Sequence, residues 1–162
     1  MLEIAALIAT AVLFGGMIAF SFLFAPLVFL KLPGETAGGF IRQVFPWYYL
    51  FVLGVAALAA ALVAAADPVA GAVMAAVALG GVLARQVLMP AINRFRDRQM
   101  AGEAGAGRWF GVLHQGSVVL NFLQMGAAAW VLVQVGAWAR AASRRGSASR
   151  SRRWRRLPWR SS

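Results

Sequence analysis

Cysteine is absent from this chain of 162 residues, and its absence excludes several kinds of chemistry. No disulfide framework, cysteine-ligated iron–sulfur cluster or thiolate zinc site can form without it. Histidine is almost as scarce, since His114 is the only one, and it could offer a haem a single axial ligand. Methionine sulfur could bind Cu(I), although scattered methionines in an apolar protein usually serve packing. The methionines of the apolar segments are Met17, Met74, Met89 and Met125. We therefore expect no metal and no cofactor.

Charged side chains are missing from four long apolar runs, apart from one arginine in the third. The runs cover about residues 4–30, 45–66, 69–92 and 110–138. A helix needs roughly 20 residues to cross a hydrocarbon core of ~30 Å, so each run is long enough to span a bilayer. With 61% hydrophobic residues and a mean hydropathy of +0.71, a soluble domain of this size could not bury its apolar surface.

The apolar runs are continuous and do not alternate with polar residues, which argues against the strands of a β-barrel. Helices remain, because each backbone amide in lipid needs an internal partner. The first run lacks a basic residue before it and is too long for the apolar part of a signal peptide, so we expect a retained helix. The sequence thus predicts an all-α integral membrane four-helix bundle over residues 1–140.

Acidic residues are missing from the C-terminal segment, where residues 140–162 carry nine arginines. A segment rich in Ser and Arg is expected to be disordered in water, and we place such a tail at residues 141–162. The tail either docks on anionic lipid headgroups, to which each basic residue contributes about 1 kcal/mol, or only sets the topology. Nucleic acid is not expected as a partner, because no folded nucleic-acid-binding domain accompanies the basic residues.

Basic residues on the two sides of the predicted bundle give opposing signals about its orientation. Without the tail, the positive-inside rule places the first and third loops in the cytoplasm, because they carry six basic residues. With the tail, the same rule places both termini there. Moving nine arginines across a membrane is the harder task, so we expect cytoplasmic termini.

Proline and charged residues mark the predicted helix ends. Lys31 and the Leu-Pro-Gly after it should end the first helix, while Pro46 suits the first turn of the second, with aromatic residues at the headgroup interface. Asp67 followed by Pro68 predicts the start of the third helix after a tight turn, so the second and third helices are antiparallel neighbours. Small residues at every fourth position favour their close packing. These are Ala56, Ala60 and Ala64 on the second helix, and Ala72, Ala76, Gly80 and Ala84 on the third.

Polar side chains inside the predicted spans are costly in lipid and are therefore the candidate functional residues. Helical spacing places the polar residues of the fourth helix on one face of that helix. The polar residues of the third helix also share one face, and the two faces meet when the helices run antiparallel. An arginine at such a place could hold an anionic group. Ser, Asn and Gln also serve merely as interhelical contacts worth ~0.6–2 kcal/mol each, which is the competing interpretation. The candidate polar seam consists of Arg85, Asn93, His114, Ser117, Asn121 and Gln124.

Three segments resemble the transmembrane protein 205-like family. They are Phe45-Pro46-Trp47-Tyr48, the segment with Arg85, Pro90 and Asn93, and the fourth-helix pattern of Phe110, His114, Ser117 and Asn121. The fourth-helix pattern is the most specific, and the resemblance covers about residues 8–135, so the arginine tail lies outside it. Members of that family are small four-span membrane proteins of bacteria and eukaryotes whose domain has no assigned function.

The resemblance implies a four-helix bundle in a membrane and supplies no catalytic residues. The mammalian member is associated with tolerance of platinum drugs, which hints at transport or trafficking. The matching positions worth testing are Pro46, Arg85, Pro90, His114, Ser117 and Asn121.

Two functions stay open for a protein that we expect to lie in the bacterial inner membrane. The first is binding or moving a small polar or anionic solute along the seam between the third and fourth helices. The second is a non-catalytic role as structural or assembly partner of another membrane protein or of a second copy. The spans contain no nucleophile–base set, phosphate-binding loop or carboxylate pair, so we do not expect an enzyme.

Overall fold

The computed structural model describes the backbone of residues 2–154, with side chains for residues 2–138 and 140. Across this part of the chain there is no β-strand. The chain forms four long helices, each with a segment long and apolar enough to cross a membrane. They are α1 (Leu2–Lys31), α2 (Gly34–Ala64), α3 (Pro68–Met100) and α4 (Ala106–Trp154). The prediction of an all-α membrane four-helix bundle is confirmed.

Short connections join successive helices, so the helices alternate in direction around the bundle. Each helix packs against the next in the chain, and α4 packs back against α1. Asp67 caps α3 as its position predicts, because its Oδ1 accepts the backbone N–H groups of Val69 at 2.9 Å and Ala70 at 3.0 Å. Between α3 and α4 the chain reverses with Gly102 at φ 79° and Gly105 at φ 82°, a region that other residues rarely adopt.

The start of α2 differs from the prediction. The helix begins at Gly34 rather than near residue 45, so Pro46 lies inside it and does not open it. Residues 34–45 extend an existing helix, which avoids the cost of nucleation. An interior proline is tolerated in membrane helices because neighbouring groups and local adjustments satisfy the freed carbonyl.

The end of α4 also differs from the predicted boundary at residue 140. Helical backbone continues through the first part of the predicted tail to Trp154, where arginine, a good helix former, is frequent. The remaining residues of the tail, 155–162, lie outside the described residues, as do the side chains of 141–154. Docking of the tail on anionic lipid therefore stays a prediction.

The closely packed half of the bundle lies toward the N-terminus and the turn at Asp67. Small residues allow this approach, because a Cβ on Gly71 would lie 2.6 Å from Cα of Ala64, so the backbones of α2 and α3 nearly touch. The ridge predicted on α3 is therefore only partly at the interface: Ala72 and Ala76 are exposed and Gly71 is buried in their place, whereas Ala84 is buried as predicted. Fully buried side chains of this core include Leu13, Met17, Val52, Val63, Met74, Val131 and Val135.

The other half is more open, and it contains two interrupted helices. Ala19–Phe24 in α1 and Ala84–Leu88 in α3 are π-helical turns, and each is followed two residues later by a proline, Pro26 and Pro90. A π turn holds an extra residue and a proline removes a backbone donor, so both reorient the helix beyond them. Neither Ala19–Phe24 nor Met89–Met100 contains a buried residue.

Candidate functional site

A cavity of about 530 Å³ occupies the open half of the bundle and is lined by all four helices. This volume lies within the range of ~300–1,000 Å³ that is usual for ligand pockets. The lining residues belong to the later part of α1 and α3 and the earlier part of α2 and α4. The cavity therefore lies toward the loop end of the bundle, meaning the end that carries the turns at 32–33 and 101–105.

Two arginines line the cavity near the loop end, and they differ in their partners. Arg42 of α2 forms two hydrogen bonds with the carboxylate of Asp97 on α3, at 2.7 and 2.9 Å. Arg96 neighbours Asp97 in sequence, yet its guanidinium has no hydrogen bond or ion pair with any described residue. One cation at the cavity is thus neutralised by a carboxylate, while the other remains available.

The position of Arg96 depends on a buried glycine. Its guanidinium lies directly against Gly38 of α2, at a point where any Cβ on residue 38 would collide with it. A glycine at this place lets the arginine fold across α2 and reach the cavity. Gly39 has open space where its Cβ would be, so the requirement is specific to Gly38.

A chain of hydrogen bonds at the deeper end of the cavity joins three helices. The hydroxyl of Tyr48 on α2 donates to Oδ1 of Asn121 on α4 at 2.6 Å, and Nδ2 of Asn121 donates to Oγ of Ser21 on α1 at 3.0 Å. The Tyr48 ring stacks on that of Phe20 with centroids 3.9 Å apart. The amide of Asn121 has a second N–H that is left for another acceptor.

Aromatic and aliphatic side chains form most of the cavity wall between these two polar ends. Asn93 and His114 also line it, and neither side chain has a hydrogen-bond partner among the described residues. The cavity thus combines an apolar wall with several donors that the protein does not use. The wall residues include Phe20, Phe29, Ile41, Phe45, Tyr49, Ile92, Phe110, Val118 and Phe122.

Four of the six residues in the predicted polar seam meet at this cavity. They are Asn93, His114, Ser117 and Asn121. Ser117 lies there with its hydroxyl turned onto its own helix, where it donates to the carbonyl of His114 at 2.7 Å. The cavity involves all four helices, whereas the sequence indicated only the third and fourth.

Arg85 and Gln124 do not line the cavity. Gln124 is buried in the core, where its Nε2 donates to the carbonyl of Val77 at 2.8 Å, as an interhelical contact. Arg85 lies in the π turn of α3, and its Nε is buried without a partner. The helical spacing that groups Arg85 with Asn93 assumes a regular α-helix, and the π turn interrupts that helix between them.

The sequence interpretation missed Tyr48, Ser21 and the Arg42–Asp97 pair. Tyr48 was expected at the headgroup interface, but it is 7% exposed inside the bundle because α2 begins earlier than predicted. Ser21 carried a usable signal, since a hydroxyl inside a long apolar run is uncommon and costly in lipid. The ion pair joins residues far apart in the sequence and could not be foreseen from local pattern.

Metal-ligating residues do not gather at the cavity in the part of the chain with described side chains. No group of three or more His, Cys, Asp or Glu residues lies close enough to hold a metal ion there. Met17 and Met74 are packed in the core, and Met89 lies on the cavity wall.

Fold and cavity together define a class: an α-helical protein with four helices of membrane-spanning length and a partly open, largely apolar cavity with polar ends. The family model described as "Domain of unknown function (DUF4149)" matches residues 8–101, and the chain belongs to that family. The matched range covers most of α1, all of α2 and all of α3. No curated protein and no solved structure matches the chain.

Proposed function

We propose that this protein is a non-enzymatic membrane protein that binds, and by alternating exposure could move, a small polar or anionic solute. The observation that carries the proposal is the cavity of about 530 Å³ among the four helices. Its size, its apolar wall and its few convergent polar groups match the general character of small-molecule sites.

The free polar groups of the cavity supply the physical argument. Amide and imidazole groups are expensive to keep within a membrane-spanning bundle unless something satisfies them. Asn93, which is half-buried, has no partner among the described residues, and Asn121 has hydrogen-bonding capacity left beyond Tyr48 and Ser21. His114 also has no hydrogen-bond partner there, but it is exposed and carries less of this cost. A solute with acceptor atoms would satisfy these donors and offset their cost.

A binding role fits the chemistry of the cavity better than a catalytic one. The carboxylate of Asp97 near the loop end is held in two hydrogen bonds by Arg42, which leaves it poorly suited to act as a general base. The hydroxyl of Ser117 donates to a backbone carbonyl and is not paired with a base.

We also propose that the membrane is a bacterial plasma membrane, that the termini are cytoplasmic, and that the cavity faces the opposite side. The nine arginines of residues 140–162 support this orientation. Single cysteines at Asp67 and Glu103, labelled with a membrane-impermeant maleimide on intact cells, test it. We expect labelling at Glu103 and none at Asp67, and the reverse pattern would overturn the orientation without affecting the cavity.

A closer relationship to the transmembrane protein 205-like family is a further proposal. It is supported by the pattern of Phe110, His114, Ser117 and Asn121, which lies beyond the residues that the family model matches. Three of those side chains are polar groups of the cavity, so a shared binding site would explain the pattern. Loss of solute binding in His114→Ala here and in the matching variant of a family member would support it, and loss in only one would argue against it.

A cysteine-accessibility experiment tests the cavity directly, because the native chain contains no cysteine. A water-soluble thiol reagent should label Ser117→Cys, which lines the cavity, and should not label Ala128→Cys, which is fully buried in the core. Flux of candidate solutes into proteoliposomes then separates binding from movement. If Ser117→Cys is as well protected from the thiol reagent as Ala128→Cys in folded protein, water does not reach the cavity and the proposed function is wrong.

The alternative role as an assembly partner is supported by a separate observation. Ala72 and Ala76 of α3 are exposed one helical turn apart, and such small residues permit close approach of another helix. Substitution of Ala76 by Leu should then disrupt an oligomer or a complex that chemical cross-linking detects in membranes. A monomer that does not cross-link before or after the substitution would exclude this role.

A further inference from the structure

We infer that the solute is an anionic amphiphile, whose carboxylate or phosphate group binds Arg96 at the loop end while its apolar body occupies the aromatic wall. This inference rests on the proposed function, since it specifies the chemistry of a ligand for the same cavity. Three observations carry it: an available cation, the place of that cation along the helix, and the composition of the wall beneath it.

The cation is Arg96, and its availability is a property of its neighbours. The nearby carboxylate of Asp97 is occupied by Arg42 through both oxygens. Arg98, the next arginine on α3, lies over the ring of Phe95 and 3.7 Å from Glu103. Of these three arginines, only Arg96 lines the cavity without a hydrogen bond or ion pair to an acid, although it lies close enough to Asp97 for their charges to attract. A planar guanidinium is well suited to bind a carboxylate or phosphate through two hydrogen bonds.

The place of Arg96 sets the level of the anion. Arg96 lies four residues before the end of α3 at Met100, which is about 6 Å along the axis. An anion at this level stays near the membrane surface, where water and headgroups reduce the cost of its charge. Asn93 lies one turn deeper on α3 and also lines the cavity, so its amide can donate to the same group.

The wall below that level favours an apolar body over a fully polar solute. From Arg96 to Met89 at the lower part of the wall, α3 descends by about 10 Å. Phe20, Phe45 and Phe122 are among the aromatic side chains that line the same cavity. A free inorganic anion would bind the arginine and leave the apolar wall unfilled, whereas a carboxylate or phosphate that carries an alkyl or aryl chain would occupy both parts.

The loop end as a whole attracts anions. Six basic and three acidic residues are found on the segments that meet there, so its net charge is positive before any ligand arrives. A surface of one sign raises the local concentration of ions of the other sign. The basic residues are Lys31, Arg42, Arg94, Arg96, Arg98 and Arg108, and the acidic ones are Glu35, Asp97 and Glu103.

Binding of radiolabelled decanoate to the full chain in nanodiscs of zwitterionic lipid tests the inference, with empty nanodiscs subtracted. Unlabelled decanoate and decyl phosphate should compete. Decanol, acetate and inorganic phosphate should each compete at least about tenfold more weakly, because decanol lacks the anionic group and the two small anions lack the apolar chain. Equal competition by decanol would overturn the anionic site and leave the cavity as a binding site for a neutral solute. Competition by inorganic phosphate as strong as by decyl phosphate would show a free-anion site and overturn the amphiphile.

Two matched pairs of variants locate the anion. Arg96→Gln should weaken decanoate binding about tenfold or more and leave decanol unchanged, since a charge-assisted hydrogen bond is lost. Arg94→Gln removes a charge from an exposed position of the same helix outside the cavity and should change little. Equal effects of the two would reduce the role of Arg96 to general electrostatic attraction and overturn the site.

The second pair keeps every charge in place. Gly38→Ala forces the Arg96 guanidinium to move, and we expect it to weaken decanoate binding, whereas Gly39→Ala has open space and should not. Because both substitutions add one methyl group to α2, the comparison separates the position of the arginine from helix stability. Undiminished decanoate binding in Gly38→Ala would overturn the dependence of the Arg96 position on Gly38, because a flexible guanidinium could then shift and still bind the anion. Failure of the wild-type chain to bind any of the amphiphiles, together with protection of Ser117→Cys from thiol reagents, would instead count against the proposed function itself.

Discussion

Arg42 and Asp97 join α2 to α3 across the loop end of the cavity through two hydrogen bonds of 2.7 and 2.9 Å. Both side chains are substantially exposed, at 42% and 55%. Exposed ion pairs contribute little to stability, because solvent screens the charges and two long side chains lose freedom. The pair therefore matters more for what it does to the cavity than for holding the fold together.

Asp97→Asn should leave the melting temperature of the detergent-solubilised protein almost unchanged and should increase decanoate binding. The substitution releases Arg42, so a second available cation joins Arg96 at the cavity. Thermal unfolding and the nanodisc binding assay measure the two effects. Glu103→Gln is the matched control, since it removes another carboxylate at the same end of the bundle. That carboxylate lies 3.7 Å from Arg98 and does not neutralise Arg42. Weaker binding in Asp97→Asn would contradict the prediction.

Tyr48→Phe should destabilise the protein by about 1 kcal/mol, because it removes the hydroxyl that donates to Asn121 and leaves that oxygen without this partner. Tyr49 provides the control, since it is equally buried at 7% exposure and makes no side-chain hydrogen bond among the described residues. Tyr49→Phe should change the free energy of unfolding by less than about 0.5 kcal/mol. Equal effects of the two substitutions would show that the bond to Asn121 contributes nothing.

Gly71→Ala should destabilise the contact between α2 and α3. Its new Cβ would lie 2.6 Å from Cα of Ala64, and because the obstructing atom belongs to the backbone, the helices must separate. Overpacking of this kind costs about 1–3 kcal/mol. Gly54→Ala on α2 meets open space and should instead stabilise the helix by roughly 0.5–1 kcal/mol. Thermal unfolding in detergent gives both values, and a stable Gly71→Ala protein would show that this approach is looser than described.

Asp67→Ala should cost about 1 kcal/mol through loss of the N-terminal cap of α3. Asp67→Ser keeps a side-chain oxygen at the same place and should recover most of that stability. The comparison also separates capping from charge, since serine carries none. A serine variant as unstable as the alanine variant would assign the effect to the charge of Asp67 and not to its hydrogen bonds.

Local pattern was sufficient for much of the fold. Four long apolar runs, with one arginine in the third, predicted four helices, and the Asp67-Pro68 pair predicted the start of α3, because both properties depend on residues adjacent in the chain. The start of α2 was not predictable in the same way. A proline at residue 46 normally favours a helix start, and only the continuation of the helix from Gly34 overrides that preference.

The candidate site was predictable only in part. Asn93, His114, Ser117 and Asn121 could be grouped from helical spacing, because each of their two helices is regular over that segment. Arg85, which helical spacing groups with them, does not line the cavity, and it lies in a π turn that has no clear sequence signature.

The amino-acid sequence by itself determined that this protein is an all-α bundle of four membrane-length helices, because length and hydropathy decide what a bilayer can accommodate. The tertiary structure alone decided that the bundle is closely packed at one end and hollow at the other. That difference lies where helices meet: small residues bring α2 and α3 together at Gly71, while two π turns followed by prolines and a wall of aromatic rings surround the cavity near Tyr48 and Asn121. Contacts between residues distant in sequence create the cavity, so no single segment of the chain encodes it.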